Sequence, residues 1–97
     1  MRVIALSTLR DSWEKHPDAE TALRAWHALA SRPDWTTPAD IKAAYLNASF
    51  TANNRVVFNI KGNDYRLVVA VRYEKGLMYV RFIGTHREYD KIDVETI

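Results

Sequence analysis

The stretch RFIGTHREYD, Arg81 to Asp90, ends an apolar, strand-like run in a glycine and follows it with a His, an Arg, a Glu, a Tyr and an Asp. Imidazole titrates near neutral pH, so His86 is the natural proton carrier of this group. Gly84 and Thr85 precede it, where a strand can bend and present a side chain outward. Arg66 and Arg81 carry planar forks of donors that stay charged at any working pH and match phosphate oxygens. RNA cleavage without a metal needs few parts. The ribose 2′-hydroxyl attacks the neighbouring phosphate, a base takes its proton, an acid protonates the leaving oxygen, and cations hold the crowded phosphorus centre. His86 with Arg66 and Arg81 would supply those parts, and DNA would be inert because it lacks the nucleophile. Tyr79 and Tyr89 offer ring faces on which bases stack. Each residue also has a plainer reading: a strand Arg usually pairs with a carboxylate, a lone His is more often structural, and aromatics near strand ends are more often core or rim. His16, before a Pro at a helix end, and His27, beside an apolar stripe, take the plainer reading.

Composition narrows the classes. Ninety-seven residues suit one domain, 1–97, and 47% hydrophobic content with three Trp is globular composition. There is no cysteine, which excludes disulfides and thiolate metal sites, and the three His lack clustered spacing, so no metal and no cofactor is expected. No phosphate-cradling Gly loop or nucleophile elbow occurs, which sets aside a Walker-type hydrolase. The apolar run of MRVIALSTLR is too short for a signal peptide and no segment approaches a membrane span, so the expected location is the cytoplasm. The formal charge of +2 hides an asymmetry: residues 1–53 hold six basic and six acidic side chains, whereas 54–91 hold eight basic and four acidic. A positive C-terminal half attracts phosphate-bearing partners.

These residues must be positioned by a small set of elements. MRVIAL reads as a first strand. Ser7 can cap a helix over TLRDSWEKH, with Leu9 and Trp13 on one face. Asp18 can cap the next, where Ala19, Ala22, Leu23, Trp26, Leu29 and Ala30 form one apolar stripe. Thr37, Pro38 and Asp40 open a third, short helix, and NASFTANN reads as turn. From Arg55 the period becomes two. RVVFNI sets Val56, Phe58 and Ile60 against Arg55, Val57 and Asn59. KGND is a hairpin turn. In YRLVVAVRY, Arg66 and Arg72 share a face with Val68 and Ala70. In LMYVRFIG, Met78, Val80 and Phe82 oppose Tyr79, Arg81 and Ile83. The expected fold is α+β: an N-terminal strand and two to three helices packed on one face of a small, mainly antiparallel curved sheet. The other face would be free, and its guanidiniums would share one surface if the strands align.

VVFNIKGNDYRLVVAV, then VRFIGTHREYDKID, preceded by TPADIKAAY, resembles the HigB family of type II toxin–antitoxin toxins, in the wider RelE-like group; the similarity runs from the first strand to about Asp93. The resemblance implies an endoribonuclease that cuts mRNA, usually at the translating ribosome. It implies a cognate helix-turn-helix antitoxin that binds the toxin and through which the pair meets operator DNA. It implies a catalytic or substrate-contacting role for His86, Arg66, Arg81 and Tyr89. Lys42, Asn59, Lys61, Asn63, Arg72 and Arg87 are candidates for RNA contact, although Asn59 and Asn63 can instead shape the turn. The alternative is a non-catalytic RNA- or protein-binding module that docks a partner on the basic sheet, or a relative whose activity has decayed.

Overall fold

From Arg55 onward apolar side chains recur at every second position, and the chain there forms three long strands: β3 (Arg55–Ile60), β4 (Tyr65–Arg72) and β5 (Leu77–Thr85). The computed structural model describes residues 1–4 and 6–97. Its earlier part holds β1 (Arg2–Ile4), α1 (Leu6–Lys15), a 3-10 turn (Pro17–Ala19), α2 (Glu20–Ala30), α3 (Pro38–Ala44) and β2 (Ser49–Thr51); its end holds α4 (His86–Tyr89). The five strands form one sheet in the order β1-β5-β4-β3-β2, antiparallel except for β1 against β5. The α+β expectation therefore holds.

Three local readings need correction. NASFTANN is not all turn, because Ser49–Thr51 pairs with Val57–Arg55 as the edge strand β2; the turn shrinks to 52–54, where Asn53 and Asn54 take positive φ. α1 opens at Leu6, ahead of the expected cap Ser7. Asp18 lies inside the 3-10 turn and caps nothing, its carboxylate being drawn to β4 and the β3–β4 turn instead. The capping box of α3 forms as expected, with Thr37 Oγ1 accepting from the Asp40 N–H and Asp40 accepting from the Thr37 N–H.

The core lies between the helices and one face of the sheet. Leu9 and Trp13 of α1, Leu23, Trp26 and Ala30 of α2, and Ile41 of α3 meet Val56, Phe58, Ile60, Leu67, Val69, Val71, Met78 and Val80. Trp26 and Tyr45 meet Phe58 edge-on, with ring centroids 5.5 and 5.0 Å away. Full burial of a Phe is worth about 1.5–3 kcal/mol. Leu29 departs from the expected stripe: it is 45% exposed and edges an open cleft of about 320 Å³ beside Tyr45.

The alternation of β5 breaks once. Val68 faces Phe82 while the next residue, Val69, faces Val80, so Arg81 is an extra residue without a partner on β4. Such a bulge reverses the faces beyond it. Phe82, expected on the core side with Val80, stands on the opposite face, and Ile83 turns inward against the core.

That opposite face is not free, as the sequence led us to expect. Val57, Val68 and Ala70 on it are buried. α4 packs on β5 and β4, and the chain end is fastened at β3. Asn53 Nδ2 donates to the Glu95 carbonyl at 3.0 Å and Arg55 Nη2 to the Ile97 carbonyl at 2.6 Å. Ile92, Val94 and Ile97 are half-buried while Asp93, Glu95 and Thr96 are exposed, as for a strap with one apolar side. The strap roofs part of the sheet because a bare patch of Val and Ala is costly in water.

Candidate active site

Arg66 is the second residue of β4, opposite Asn59 of β3 on one side and Gly84 of β5 on the other. Directly opposed residues on one face of an antiparallel pair have Cβ atoms about 5 Å apart. Arg66 and Asn59 accordingly meet, Nη1 donating to the Asn59 side-chain oxygen. The guanidinium carbon sits 5.5 Å from the centre of the Tyr89 ring, and that ring is 6.4 Å from Phe82. An Arg against an aromatic face gains about 0.5–1 kcal/mol where exposed and more where water is excluded. Arg66 Nε is buried and has no hydrogen-bond partner.

Tyr89 arrives there on the one-turn helix α4, which His86 opens. Thr85 caps it: its hydroxyl accepts from the Glu88 N–H, and Glu88 Oε1 accepts from the Thr85 N–H at 2.9 Å. The bend needs Gly84. A Cβ there would lie 2.6 Å from the Phe82 ring and 3.1 Å from Glu88 Oε1. His86 is the first residue of α4, and its Nε2 is buried without a hydrogen-bond partner. Trp26 Nε1, Thr51 Oγ1 and Arg55 Nε are buried without a partner as well, so the status of His86 Nε2 is a feature of this corner and not unique to it.

A chain of side chains on the helix side steadies this corner. The Glu88 carboxylate is held below the usual carboxylate range, first by the Thr85 N–H and further by the Thr85 hydroxyl and the charges of Lys15 and His16. His16 Nε2 is 3.8 Å from Glu88 Oε1, and its ring lies 5.1 Å from that of Tyr65. Tyr65 donates its hydroxyl to Asp18 Oδ1 at 2.6 Å, and Lys61 Nζ reaches Asp18 Oδ2 at 2.9 Å. The Tyr65 hydroxyl, and after it Lys61, lower the pKa of Asp18; in return Asp18 raises the pKa of both Tyr65 and Lys61.

The structure thus brings Arg66, Asn59 and Tyr89 into contact, with His86 on the same turn as Tyr89. Arg81 sits apart at the bulge, exposed, its guanidinium 5.8 Å from the Tyr79 ring on the sheet face away from the helices. Arg72 is six residues further along β4, roughly 20 Å at strand rise, and pairs with Glu74 at 2.9 Å. Lys42 donates to the Ala48 carbonyl at 2.8 Å. Asn63 is exposed in the hairpin turn with Lys61, and Arg87 is exposed beside His86. Sequence reasoning missed Phe82, turned to this corner by a bulge that leaves no mark in the residue alternation. It also missed Arg55 and Asn53 as anchors of the chain end. Asn59 did carry a signal, since Asn is depleted in strands and here interrupts a run of Val, Phe and Ile. Among the described residues no three His, Asp or Glu side chains converge as a metal cage requires.

A family model described as the HigB toxin, the RelE-like toxic component of a toxin–antitoxin system, matches residues 19–92. The chain belongs to the HigB toxin family. Relatives agree with this membership over nearly their whole length. The mRNA interferase toxin HigB of Escherichia coli K12 is 33% identical over 92 residues, covering 93% of this chain and 88% of that protein, and the mRNA interferase HigB of Shigella flexneri shows the same figures. The mRNA interferase HigB of Escherichia coli O6:H1 is 26% identical over 94 residues, covering 95% and 91%. The family match takes in α2 through α4, and so every residue of the Asn59–Arg66–Tyr89–His86 corner.

Proposed function

We propose that this toxin is an mRNA endoribonuclease that cuts at the translating ribosome by 2′-hydroxyl attack on the adjoining phosphodiester. The observation that carries the reading is a guanidinium that meets an amide oxygen and an aromatic ring, together with an imidazole on the same helical turn as that ring whose Nε2 is buried and unpartnered. The family name and the mRNA interferase names of the relatives support the same substrate.

In this mechanism Arg66 binds a non-bridging phosphate oxygen and stabilises the charge that grows on it in the pentacoordinate transition state. The 2′-oxygen bonds to phosphorus as its proton leaves to a base, and the bond to the 5′-oxygen breaks as that oxygen gains a proton. The products are a 2′,3′-cyclic phosphate and a 5′-hydroxyl end. His86 carries one of the two protons, and the Tyr89 ring stacks on a base beside the cut. Arg81 and Arg87, both exposed, meet neighbouring phosphates. His86 Nε2 is buried, so RNA binding in this reading includes a small displacement that exposes it.

The partner in this reading is a helix-turn-helix antitoxin whose acidic segment covers the basic face, with operator DNA met only through it. The working location is the cytoplasm; among the described residues no helix is long and apolar enough to cross a membrane. Tightly induced expression of the wild type and of His86→Ala, Arg66→Ala and Arg81→Ala tests the reading. Growth arrest and cut transcripts are expected with the wild type alone; equal arrest by all four proteins removes these side chains from the chemistry. Brisk cutting of naked RNA, without translating ribosomes, would refute ribosome dependence.

A further inference from the structure

In an antiparallel pair only every second residue turns its N–H and C=O to a given neighbour. The Val71 N–H donates to the Asn54 carbonyl at 2.9 Å, in register with the β3–β4 ladder, and this sets the alternation along β3. Val56, Phe58 and Ile60 therefore turn their backbone groups to β4, and Arg55, Val57 and Asn59 turn theirs to the other side. There β2 meets Arg55 and Val57 with Thr51 and Ser49 and goes no further. One more step would set Asn47 against Asn59, but the chain turns away first, the Ala48 N–H donating to the Tyr45 carbonyl at 3.0 Å. Among the described residues no backbone partner outside the strands meets the Asn59 N–H or C=O. Two open clefts, of about 300 and 320 Å³, adjoin at this edge, and Asn59, Tyr45 and Gly62 line both. Leu46, 75% exposed, borders the first.

We propose that the outward N–H and C=O of Asn59, with the cleft walls of Tyr45 and Leu46, form a slot for one nucleobase of the RNA substrate, held along its Watson–Crick edge. This rests on the ribonuclease reading and adds a base-binding site to it. Unpaired bases are recognised by hydrogen bonds to that edge, and every base presents a donor beside an acceptor there. The Asn59 side chain meets Arg66, so RNA with a phosphate at Arg66 can turn an adjoining base over the β3 edge. Leu46 would then lose its exposure to water. A partner's β-strand is the other ligand for an unpaired edge, but only one residue is free here. Val57 faces β2, and Lys61 leaves the strand with positive φ. A single N–H and C=O suit one planar group and are too few for a ladder.

The test uses full-length protein labelled with ¹⁵N and ¹³C and a 2′-O-methyl RNA oligonucleotide, which cannot be cut. Copies of it carry an abasic nucleotide at each position in turn. The intact oligonucleotide shifts the Asn59 amide proton downfield and moves the Leu46 methyl resonances, while the Val57 amide stays put. One abasic copy loses both shifts and binds about tenfold more weakly, the scale of a pair of neutral hydrogen bonds. Asn59→Pro removes an N–H that faces the open edge, where Pro is tolerated. It binds at least about threefold more weakly than Asn59→Ala, which lacks the same side chain and keeps the N–H. Ala44→Trp, at an exposed position of α3 that lines the cleft, fills the slot and weakens binding by about tenfold at an unchanged melting temperature. Equal binding of the intact and all abasic oligonucleotides, or an Asn59 amide unmoved by RNA that shifts Tyr89, overturns the slot and leaves the ribonuclease reading standing. An Asn59 amide that moves with the antitoxin and not with RNA gives the edge to a protein strand and overturns the slot as well. If the wild type cuts no RNA in any assay, the ribonuclease reading falls, and the oligonucleotide shifts alone decide on the slot.

Discussion

Two cations lie at the same end of the β3–β4 hairpin and meet opposite fates. Lys61, in the turn, finds Asp18 at 2.9 Å and Asp64 at 3.7 Å. Arg66, five residues on, faces an amide and an aromatic ring and no carboxylate within ion-pair distance among the described residues. One charge is matched by carboxylates within the fold, and the other meets no counter-charge among the described residues. A basic residue count cannot tell these apart; the group standing opposite each cation does.

The largest contrast is expected in catalysis. Arg66→Ala should lower single-turnover RNA cleavage by about 10²-fold or more, as loss of a transition-state charge stabiliser does, while Lys61→Ala should change it by less than about threefold. Comparable losses from the two would erase the distinction. Gly84→Ala comes next. Its methyl group must displace the Phe82 ring or Glu88, at about 1–3 kcal/mol, so denaturant unfolding should show that loss together with weakened cleavage, because α4 cannot dock. Wild-type stability for this variant would mean that the close approach is not needed.

A smaller effect is expected for Glu88→Ala, which removes half of the α4 capping box. The cost should be about 1 kcal/mol by chemical denaturation, and the Tyr89 ring should become mobile by NMR. The smallest belongs to the carboxylate-matched side of the comparison. Asp18 has a folded pKa below its unfolded value of about 3.9, so its stabilising effect is complete above that value and fades as pH falls through the lower, folded value. Asp18→Asn should therefore flatten part of the acid limb of a stability–pH curve and leave cleavage near neutral pH intact. An unchanged acid limb would show that the Asp18–Tyr65–Lys61 cluster does not couple to folding.

Much of this architecture could be read in the residues because it is dictated by local pattern. The two-residue alternation of RVVFNI and YRLVVAVR located β3 and β4 and assigned their faces. Thr37-Pro38 with Asp40 located α3, since a cap is a three-residue affair. What escaped was set by distant partners. The β5 bulge exists because Val68 and Val69 pair two residues apart on β5, and nothing in LMYVRFIG announces it. Asp18 has the chemistry of a cap but is claimed by Tyr65 and Lys61, which are more than 40 residues away along the chain. The strap was invisible because IDVETI is too short and polar to declare an apolar side until Arg55 and Asn53 fix its carbonyls. Of the candidate corner, Arg66, His86 and Tyr89 were legible as residue types with a family motif around them. The contact of Asn59 with Arg66 required strand register, which sequence leaves open.

The parallel ladder between Arg2–Ile4 and Leu77–Tyr79 has a temporal side. Among the described strands β1 pairs only with β5, so it has no neighbour until β5 emerges, and α4 follows β5 directly. Closing so long a loop is slow and comes late. A growing chain thus carries α1 to α3, the β3–β4 hairpin and Arg66 well before it carries β5 and, beyond it, His86 and Tyr89.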